Sequence, residues 1–428
     1  MKIVLILSVL AAAAQAKITS SALRKLEQEQ TFTAFVTFKP TATTGLESLE
    51  STPIGERREV VYSALSAAAV EHKETLSSIV GDRKVKAFWI TKAATVENVD
   101  RALADKIAKI DNVLKVDVIK TIKESPVLTK KDDGAENSPA DNSRPTGIQW
   151  GVTTIGATDV WKTTKGEGVI IGSIDSGVRH THESIKSKWR AAKGWYDPYY
   201  QTAEPNDLSG HGTHTIGTMV GDFGIGVAPG AQFISCLGLY KGSGTNAALI
   251  ECAEFMMCPT DTDGSHPDCK KGANVVNNSW GSDSSTDPWY QDVVDAWHKA
   301  GITPIFANGN EGPACATAGN PASYPNVISV GAIGSRTDDP TQLAYFSSKG
   351  PAKYVDRLNQ ARVHNLGTAS EHPVLVFTES WGSEEMVNKV FRCCPCGGSS
   401  STCDGAATPN AKQGKPTTPV AKSGKKGH

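Results

Sequence analysis

Strands and helices alternate along the chain from Gly147 onward, and this alternation limits the folds that the chain can adopt. Short apolar runs predict strands at residues 169–174, 232–237, 274–278, 302–307 and 326–333. Helices are predicted between them: one begins near His211, one spans residues 246–257, and one has Asp287 as its N-cap and ends at Gly301. Such alternation is typical of an α/β fold, a mostly parallel sheet with helices on both faces.

Polar residues stand where these predicted strands end. Asp175 directly follows the strand at residues 169–174, and a glycine-rich turn that contains Asn310 follows the strand at residues 302–307. In parallel sheets, ligands bind at the carboxyl ends of the strands. His211 lies between two glycines, although glycine costs a helix about 1 kcal/mol against alanine. We therefore expect the backbone to pass close to another part of the chain at this histidine.

Residues 17–122 predict a separate, smaller domain. Strands are predicted at residues 31–38, 85–91 and 113–119, with helices at residues 56–80 and from Val99 onward. This strand-helix-strand-helix-strand order favours a small α+β domain of the ferredoxin-like type. Residues 123–146 are rich in proline and charge, which predicts a linker.

Short motifs in a fixed order relate the second domain to a known family. They are Asp-Ser-Gly at residues 175–177, His-Gly-Thr-His at 211–214, Asn-Ser-Trp-Gly at 278–281, Asn-Gly-Asn-Glu-Gly at 308–312 and Phe-Ser-Ser-Lys-Gly-Pro at 346–351. Together they resemble the subtilisin-like serine proteases. The resemblance implies a subtilisin-like peptidase domain at residues 147–351, preceded by an inhibitory propeptide at residues 17–122.

The resemblance also implies a role for each motif. His211 would be the general base, and Asp175 would hold its imidazole and stabilise the imidazolium. The side-chain amide of Asn310 would donate to the developing oxyanion. The substrate backbone would lie as an additional strand beside Ser279, Trp280 and Gly281, which would also line the specificity pocket. The implied activity is that of a Ser-His-Asp endopeptidase acting on proteins or peptides, with its own propeptide as an intramolecular inhibitor.

The third catalytic residue is missing from this pattern. The family's nucleophile motif, Gly-Thr-Ser-Met-Ala-x-Pro-His, has no match after Pro351. In the nearest similar stretch, residues 367–373, Ala369 takes the nucleophile position and Ser370 is one residue off, which turns a helical side chain by about 100°. The peptidase domain is therefore interpreted as incomplete, with no nucleophile assigned. The alternatives are a catalytically inactive pseudo-protease or binding module, and a truncated or mis-spliced protease.

The beginning of the chain predicts a secreted protein. Residues 1–16 combine a lysine, an apolar run and an Ala-Gln-Ala cleavage pattern, which is typical of a signal peptide. In an oxidising compartment the nine cysteines become candidates for disulfides. Cys258 and Cys269 flank a loop rich in turn residues, and we expect them to pair. Residues 352–428 are an unmatched tail, rich in cysteine and lysine and in part predicted to be disordered.

Composition argues against several kinds of partner. A net charge of -1 gives no long-range attraction to nucleic acid or to an anionic membrane. No metal site and no cofactor are predicted from the sequence. The resemblance allows calcium, but no carboxylate cluster has convincing ligand spacing.

The leader and the linker generate a first prediction. We expect cleavage after Ala16 and a second cut between Ser125 and Gly147, because disordered, charged linkers are preferred sites of proteolysis. N-terminal sequencing of the secreted product will detect both cuts. A secreted chain that starts only at Lys17, without a shorter form, would contradict the second cut.

Overall fold

The computed structural model describes residues 16–40, 46, 49, 51–124, 147–282, 288–333 and 343–350. All of them belong to one compact unit, Met1–Arg392. The predicted signal peptide, most of the predicted linker, Asp287, Ala369, Ser370 and the tail lie outside the described residues. The predictions about these segments therefore stay predictions.

The N-terminal part, residues 16–124, contains the elements α1 (Ser20–Gln28), β1 (Phe32–Phe38), α2 (Ile54–Val80), β2 (Val85–Phe88), β3 (Ala93–Val99), α3 (Arg101–Ala108), β4 (Val113–Val118) and β5 (Thr121–Glu124). Strands β1 to β4 form an antiparallel sheet in the order β2-β3-β1-β4. From β1 to β4, the β-α-β-β-α-β order is that of a ferredoxin-like unit. Alternate residues of β1, among them Ala34 and Val36, are fully buried beneath α2 and α3.

Two details of the sequence prediction are wrong in this part. The predicted strand at residues 85–91 is the first half of a hairpin, since the chain turns after Phe88 and returns as β3. Val99 ends β3 and does not begin a helix. The following helix begins at Arg101, because the Asp100 carboxylate caps it by accepting from the Leu103 N–H at 2.8 Å.

The C-terminal part, residues 147–350, contains the elements α4 (Trp150–Thr154), α5 (Ala157–Val160), β6 (Ile170–Asp175), β7 (Trp195–Tyr196), α6 (His211–Val220), β8 (Gln232–Leu237), β9 (Ser243–Thr245), α7 (Asn246–Met257), a 3₁₀ turn (Cys269–Lys271), β10 (Val275–Asn278), β11 (Trp280–Gly281), α8 (Gln291–Lys299), β12 (Thr303–Ala307) and β13 (Ile328–Val330). Among the described residues, six of these strands form a parallel sheet in the order β13-β12-β10-β6-β8-β7. One face packs on α6 and the other on α7 and α8. The predicted α/β fold is confirmed.

The helix before β12 begins later than the sequence predicts. It starts at Gln291, with Tyr290 at the N-cap position, and not at Pro288. Tyr290 is fully buried, and its hydroxyl donates to the Leu249 carbonyl at 3.2 Å. Packing of this aromatic ring therefore sets the position of the first turn. Gly301 follows the helix with a φ of 75°, as expected for a helix stop.

A second, small sheet joins the two parts of the chain. Strand β5 lies between β11 and β9 and pairs antiparallel with both. Its residue Ile122 is only 3% exposed and packs in the core of the C-terminal part. The predicted linker at residues 123–146 is therefore wrong at its start, because Lys123 and Glu124 belong to this strand. These four residues form a strand because they pair with distant segments.

Helices α7 and α8 present carboxylates to the turn between β2 and β3. The Glu254 carboxylate accepts the backbone N–H groups of Trp89 and Ile90. Lys86 forms an ion pair with Glu251, and Lys92 one with Asp292. Because the hydrophobic core is also continuous across this contact, the two parts pack as one body.

Two disulfides in the C-terminal part join cysteines that are both among the described residues. The predicted pair Cys258–Cys269 is confirmed, with 3.9 Å between the Cα atoms. A second bond joins Cys236 at the end of β8 to Cys252 on α7. The sequence did not indicate this second pair, because the two cysteines meet only once α7 packs on the sheet. None of the described helices has the length and apolar composition that crossing a bilayer requires.

Glu254 generates a prediction for pH dependence. Burial raises the pKa of Glu254 to about 8, and two backbone N–H donors only partly oppose this shift. In the unfolded chain the group titrates near 4.3. The stability that it contributes is therefore complete below about pH 4.3 and is lost as the pH rises towards 8.

We expect Glu254→Gln to reduce the fall in the free energy of unfolding between pH 5 and pH 8, by up to about 1.4 kcal/mol per pH unit. The glutamine keeps an oxygen for the two N–H donors but does not titrate. Urea unfolding at several pH values measures the slope. Glu74→Gln, at an exposed position on α2, is the matched control and should leave the slope unchanged. Equal slopes in the Glu254→Gln variant and the parent would contradict the assignment.

Candidate active site

Asp175 is the last residue of β6, in the interior of the parallel sheet. Its side chain is fully buried. The carboxylate accepts the Ser176 N–H at 2.6 Å and the Thr215 hydroxyl at 3.3 Å, on different oxygens. A buried carboxylate needs such donors, because an unpaired charge in the protein interior is very costly.

His211 is the first residue of α6, and its side chain is only 6% exposed. Its Nδ1 lies 2.7 Å from Oδ1 of Asp175. Because an ionised carboxylate can only accept, Nδ1 carries the proton, and Nε2 is the nitrogen with a lone pair. The pair therefore has the arrangement of a general base that a carboxylate orients.

Two glycines allow the strand end and the helix start to approach each other. A Cβ atom on Gly212 would lie 2.1 Å from the Gly177 carbonyl oxygen, and one on Gly177 would lie 1.9 Å from the Asn206 carbonyl oxygen. Both distances are far inside van der Waals contact. The expected close approach of the backbone at His211 is present.

The turn with Asn310 follows β12, at the same edge of the sheet. The block at residues 346–348 holds this turn on both sides. The Ser348 N–H donates to the Gly309 carbonyl at 3.0 Å, and the Ser348 hydroxyl donates to the Glu311 carboxylate at 3.0 Å. Asn310 itself is half-buried. The structure therefore places Asn310, as predicted, at the carboxyl end of a strand two positions from β6 in the sheet.

The predicted substrate-binding residues lie next to β5. Trp280 pairs with Glu124 and Gly281 with Lys123, so the backbone of β11 already binds an extended segment. Ser279 accepts from the Asn277 side-chain amide at 3.0 Å.

The side chain of Trp280 packs in the core of the C-terminal part. It is fully buried, edge-on against Tyr290 and Phe306. A large apolar ring gains more from burial in the core than from exposure in a cleft. Only the backbone of Trp280 is therefore available to a peptide.

Strand β9 is a binding element that the sequence analysis missed. Thr245 pairs with Thr121, Gly244 with Ile122, and Ser243 with Lys123. An extended peptide can thus bind between two strands, with both of its edges hydrogen-bonded. The Gly-Ser-Gly sequence at residues 242–244 is a weak signal for such a flat strand.

The described residues contain no group of three or more His, Cys, Asp or Glu side chains that could hold a metal ion. The polar groups at this edge of the sheet include the Asp175–His211 pair and the turn at Asn310. A hydrogen-bonded Asp–His pair beside a peptide-binding cleft is the acid–base part of a serine hydrolase of the triad type.

Comparisons with known proteins specify this class further. The model of the Subtilase family matches residues 166–363. Bacillopeptidase F of Bacillus subtilis is 29% identical over 420 residues, which are 87% of this chain and 28% of that protein. Subtilisin DY of Bacillus licheniformis is 31% identical over 211 residues, which are 47% of this chain and 69% of that protein. The chain belongs to the subtilase family of serine proteases.

The extent of these matches differs between relatives. The chain spans 28% of the length of bacillopeptidase F. Among solved structures, fervidolysin from Fervidobacterium pennivorans aligns with a TM-score of 0.49 and 20% identity, over 75% of this chain and 46% of that chain.

The glycine contact at the catalytic pair generates a prediction with an internal control. We expect Gly212→Ala to destabilise the protein by about 1–3 kcal/mol, because the new methyl group overlaps a backbone oxygen. Gly217→Ala, in the same helix, meets no atom within 4 Å and should stabilise by up to about 1 kcal/mol. Urea unfolding of both variants measures the difference. Equal stability of the two variants would contradict the close approach.

Proposed function

We propose that this chain has the architecture of a secreted serine endopeptidase precursor of the subtilisin type, a class that hydrolyses peptide bonds in proteins or peptides, and that the chain as written lacks the nucleophile for this reaction. The observation that carries the proposal is the buried Asp175–His211 hydrogen bond at the edge of a sheet where β9 and β11 hold an extended peptide segment. Family membership supports the same activity.

The residues of the site would divide the chemistry between them. His211 Nε2 takes the proton of a serine hydroxyl as that oxygen attacks the substrate carbonyl, and returns it to the leaving amine. Asp175 keeps Nδ1 protonated and stabilises the imidazolium. The side-chain amide of Asn310 donates to the oxyanion, an interaction worth about 10²–10³ in turnover.

No nucleophile is assigned in this chain. The sequence after Pro351 lacks the family motif, with Ala369 at the corresponding position and Ser370 one residue away. We therefore propose that the described residues supply the peptide-binding cleft, the general base and the donor to the oxyanion. The chain as written lacks a serine aligned with this base. A pseudo-protease would keep the same cleft, but no contact of the described residues favours that reading.

The N-terminal part would act as an intramolecular inhibitor. Strand β5 occupies the position that a substrate strand needs between β9 and β11, and Ile122 fills an apolar recess beside it. A substrate that adds a strand to both edges gains main-chain hydrogen bonds without a sequence requirement. Specificity then depends on the recesses that receive alternate side chains, such as the one that Ile122 occupies.

Secretion is part of the proposal for two reasons. The leader at residues 1–16 has the pattern of a signal peptide. The disulfides Cys236–Cys252 and Cys258–Cys269 belong to proteins that fold in an oxidising compartment.

A serine-reactive phosphonate probe and a peptide substrate test the proposed function. We expect no labelling of the chain as written, because Ala369 offers no hydroxyl within the ~2.6–3.2 Å that proton transfer requires. Ala369→Ser should gain labelling, and adding His211→Ala should abolish it. Labelling of the unmodified chain that depends on His211 would contradict the missing nucleophile and would point to Ser370. Labelling that is insensitive to His211→Ala would contradict the proposed mechanism.

A further inference from the structure

We propose that Asp207 is the positioning residue that holds the Asp175–His211 pair together. The inference rests on the proposed function, because it concerns the general base of that reaction. Asp207 lies in the loop before α6 and has no direct role in the chemistry described above. Its contacts join the two segments that carry the catalytic side chains.

Both oxygens of the Asp207 carboxylate are occupied by donors. Oδ1 accepts from the Ser176 hydroxyl at 2.9 Å, from the Ser209 N–H at 3.1 Å and from the Gly210 N–H at 2.8 Å. Oδ2 accepts from the N–H of Thr213 at 2.9 Å and from its hydroxyl at 2.6 Å. A carboxylate with five donors is fixed in one orientation, and each bond to its charge is stronger than a neutral one.

These bonds connect the residues that follow the two catalytic side chains. Ser176 comes directly after Asp175, and its hydroxyl donates to Asp207 while accepting the Gly212 N–H at 2.9 Å. Gly212 comes directly after His211. A single chain of hydrogen bonds therefore runs from the end of β6 through Ser176 to the start of α6.

Asp207 also replaces the cap that α6 lacks. The N-cap residue is Gly210, which has a φ of 86° and no side chain to accept from the first turn. The Asp207 carboxylate accepts from the third helical residue, Thr213, and the Thr213 hydroxyl accepts in turn from the Arg179 N–H at 2.9 Å. Without such a cap, the first turn of a helix frays, and His211 is the first residue of this helix.

The backbone pairing at the same place depends on this loop. Gly177 forms an isolated antiparallel bridge with Asp207, and the Val178 N–H donates to the Asn206 carbonyl at 3.0 Å. The loop at residues 206–210 thus lies against the end of β6, while its own end leads into α6. Movement of Asp207 would change the distance between the imidazole and the Asp175 carboxylate, although Asp207 touches neither side chain.

Proton NMR of the full chain tests this inference without requiring peptidase activity. The proton on His211 Nδ1, in the hydrogen bond to Asp175, gives a separate downfield signal. The signal is assigned by its loss in the His211→Ala variant. In Asp207→Ala we expect exchange of this proton with water to accelerate by about tenfold or more. This is the factor that corresponds to the loss of one charge-assisted hydrogen bond. Asp207→Asn keeps an oxygen for Ser176 and Gly210 but loses the charge and the acceptor for Thr213, so its exchange rate should lie between those of the parent and Asp207→Ala.

Asp197→Ala is the matched control. Asp197 is also a loop carboxylate, fully buried, and it accepts from the N–H groups of Tyr199, Tyr200 and Thr202 and from the Thr202 hydroxyl, none of which bonds to Asp175, His211 or Asp207. Its loss removes a comparable number of hydrogen bonds and should leave the His211 signal unchanged. Equal acceleration in Asp197→Ala and Asp207→Ala would overturn the inference, because the effect would then be general loosening.

Further outcomes keep the test decisive. A slow signal that persists in folded Asp207→Ala overturns the inference and leaves the proposed function intact. If Asp207→Ala does not fold, Ser176→Ala removes only the bridge between the two segments, and slow exchange in that variant overturns the inference. Absence of the downfield signal from the unmodified chain contradicts the Asp175–His211 pair itself, and with it the proposed function.

Discussion

The hydrogen bond between His211 and Asp175 depends on a close approach between two backbone segments. Asp175 ends a central strand, where parallel neighbours on both sides leave it no access to water. A buried carboxylate of this kind is stable only if donors reach it from the edge of the sheet. The imidazole of His211 can do so because Gly177 and Gly212 carry no Cβ atoms at the contact. The end of β6, the loop before α6 and the first turn of the helix meet at this contact.

Much of this arrangement can be predicted from the sequence. The strands at Asp175 and before Asn310, the helix at His211, and the helix at residues 246–257 are signalled by local patterns of apolar residues and glycine. These patterns indicate which face of a strand or helix is buried, and this information is contained in the sequence of the segment alone. The order of the motifs then predicts which strand ends meet.

The elements that were missed or misread acquire their structure from distant partners. Strands β5, β9 and β11 have two to four residues each and no periodicity, and they are strands because they pair with one another. Trp280 lies in a motif that is predicted to bind substrate, and its ring packs in the core against Tyr290 and Phe306. The network around Asp207 consists of individual hydrogen bonds between residues up to 36 positions apart, and such bonds leave no periodic pattern in the sequence.

The position of β5 also has a consequence for concentration. While β5 is continuous with the residues that follow it, its occupancy of the cleft between β9 and β11 is an intramolecular equilibrium. Its effective concentration is then set by the tether and does not change when the protein is diluted. Once the backbone after β5 is cut, the N-terminal part and the C-terminal part are separate chains, and binding of β5 in the cleft becomes a bimolecular equilibrium. Dilution would then shift this equilibrium towards an open cleft.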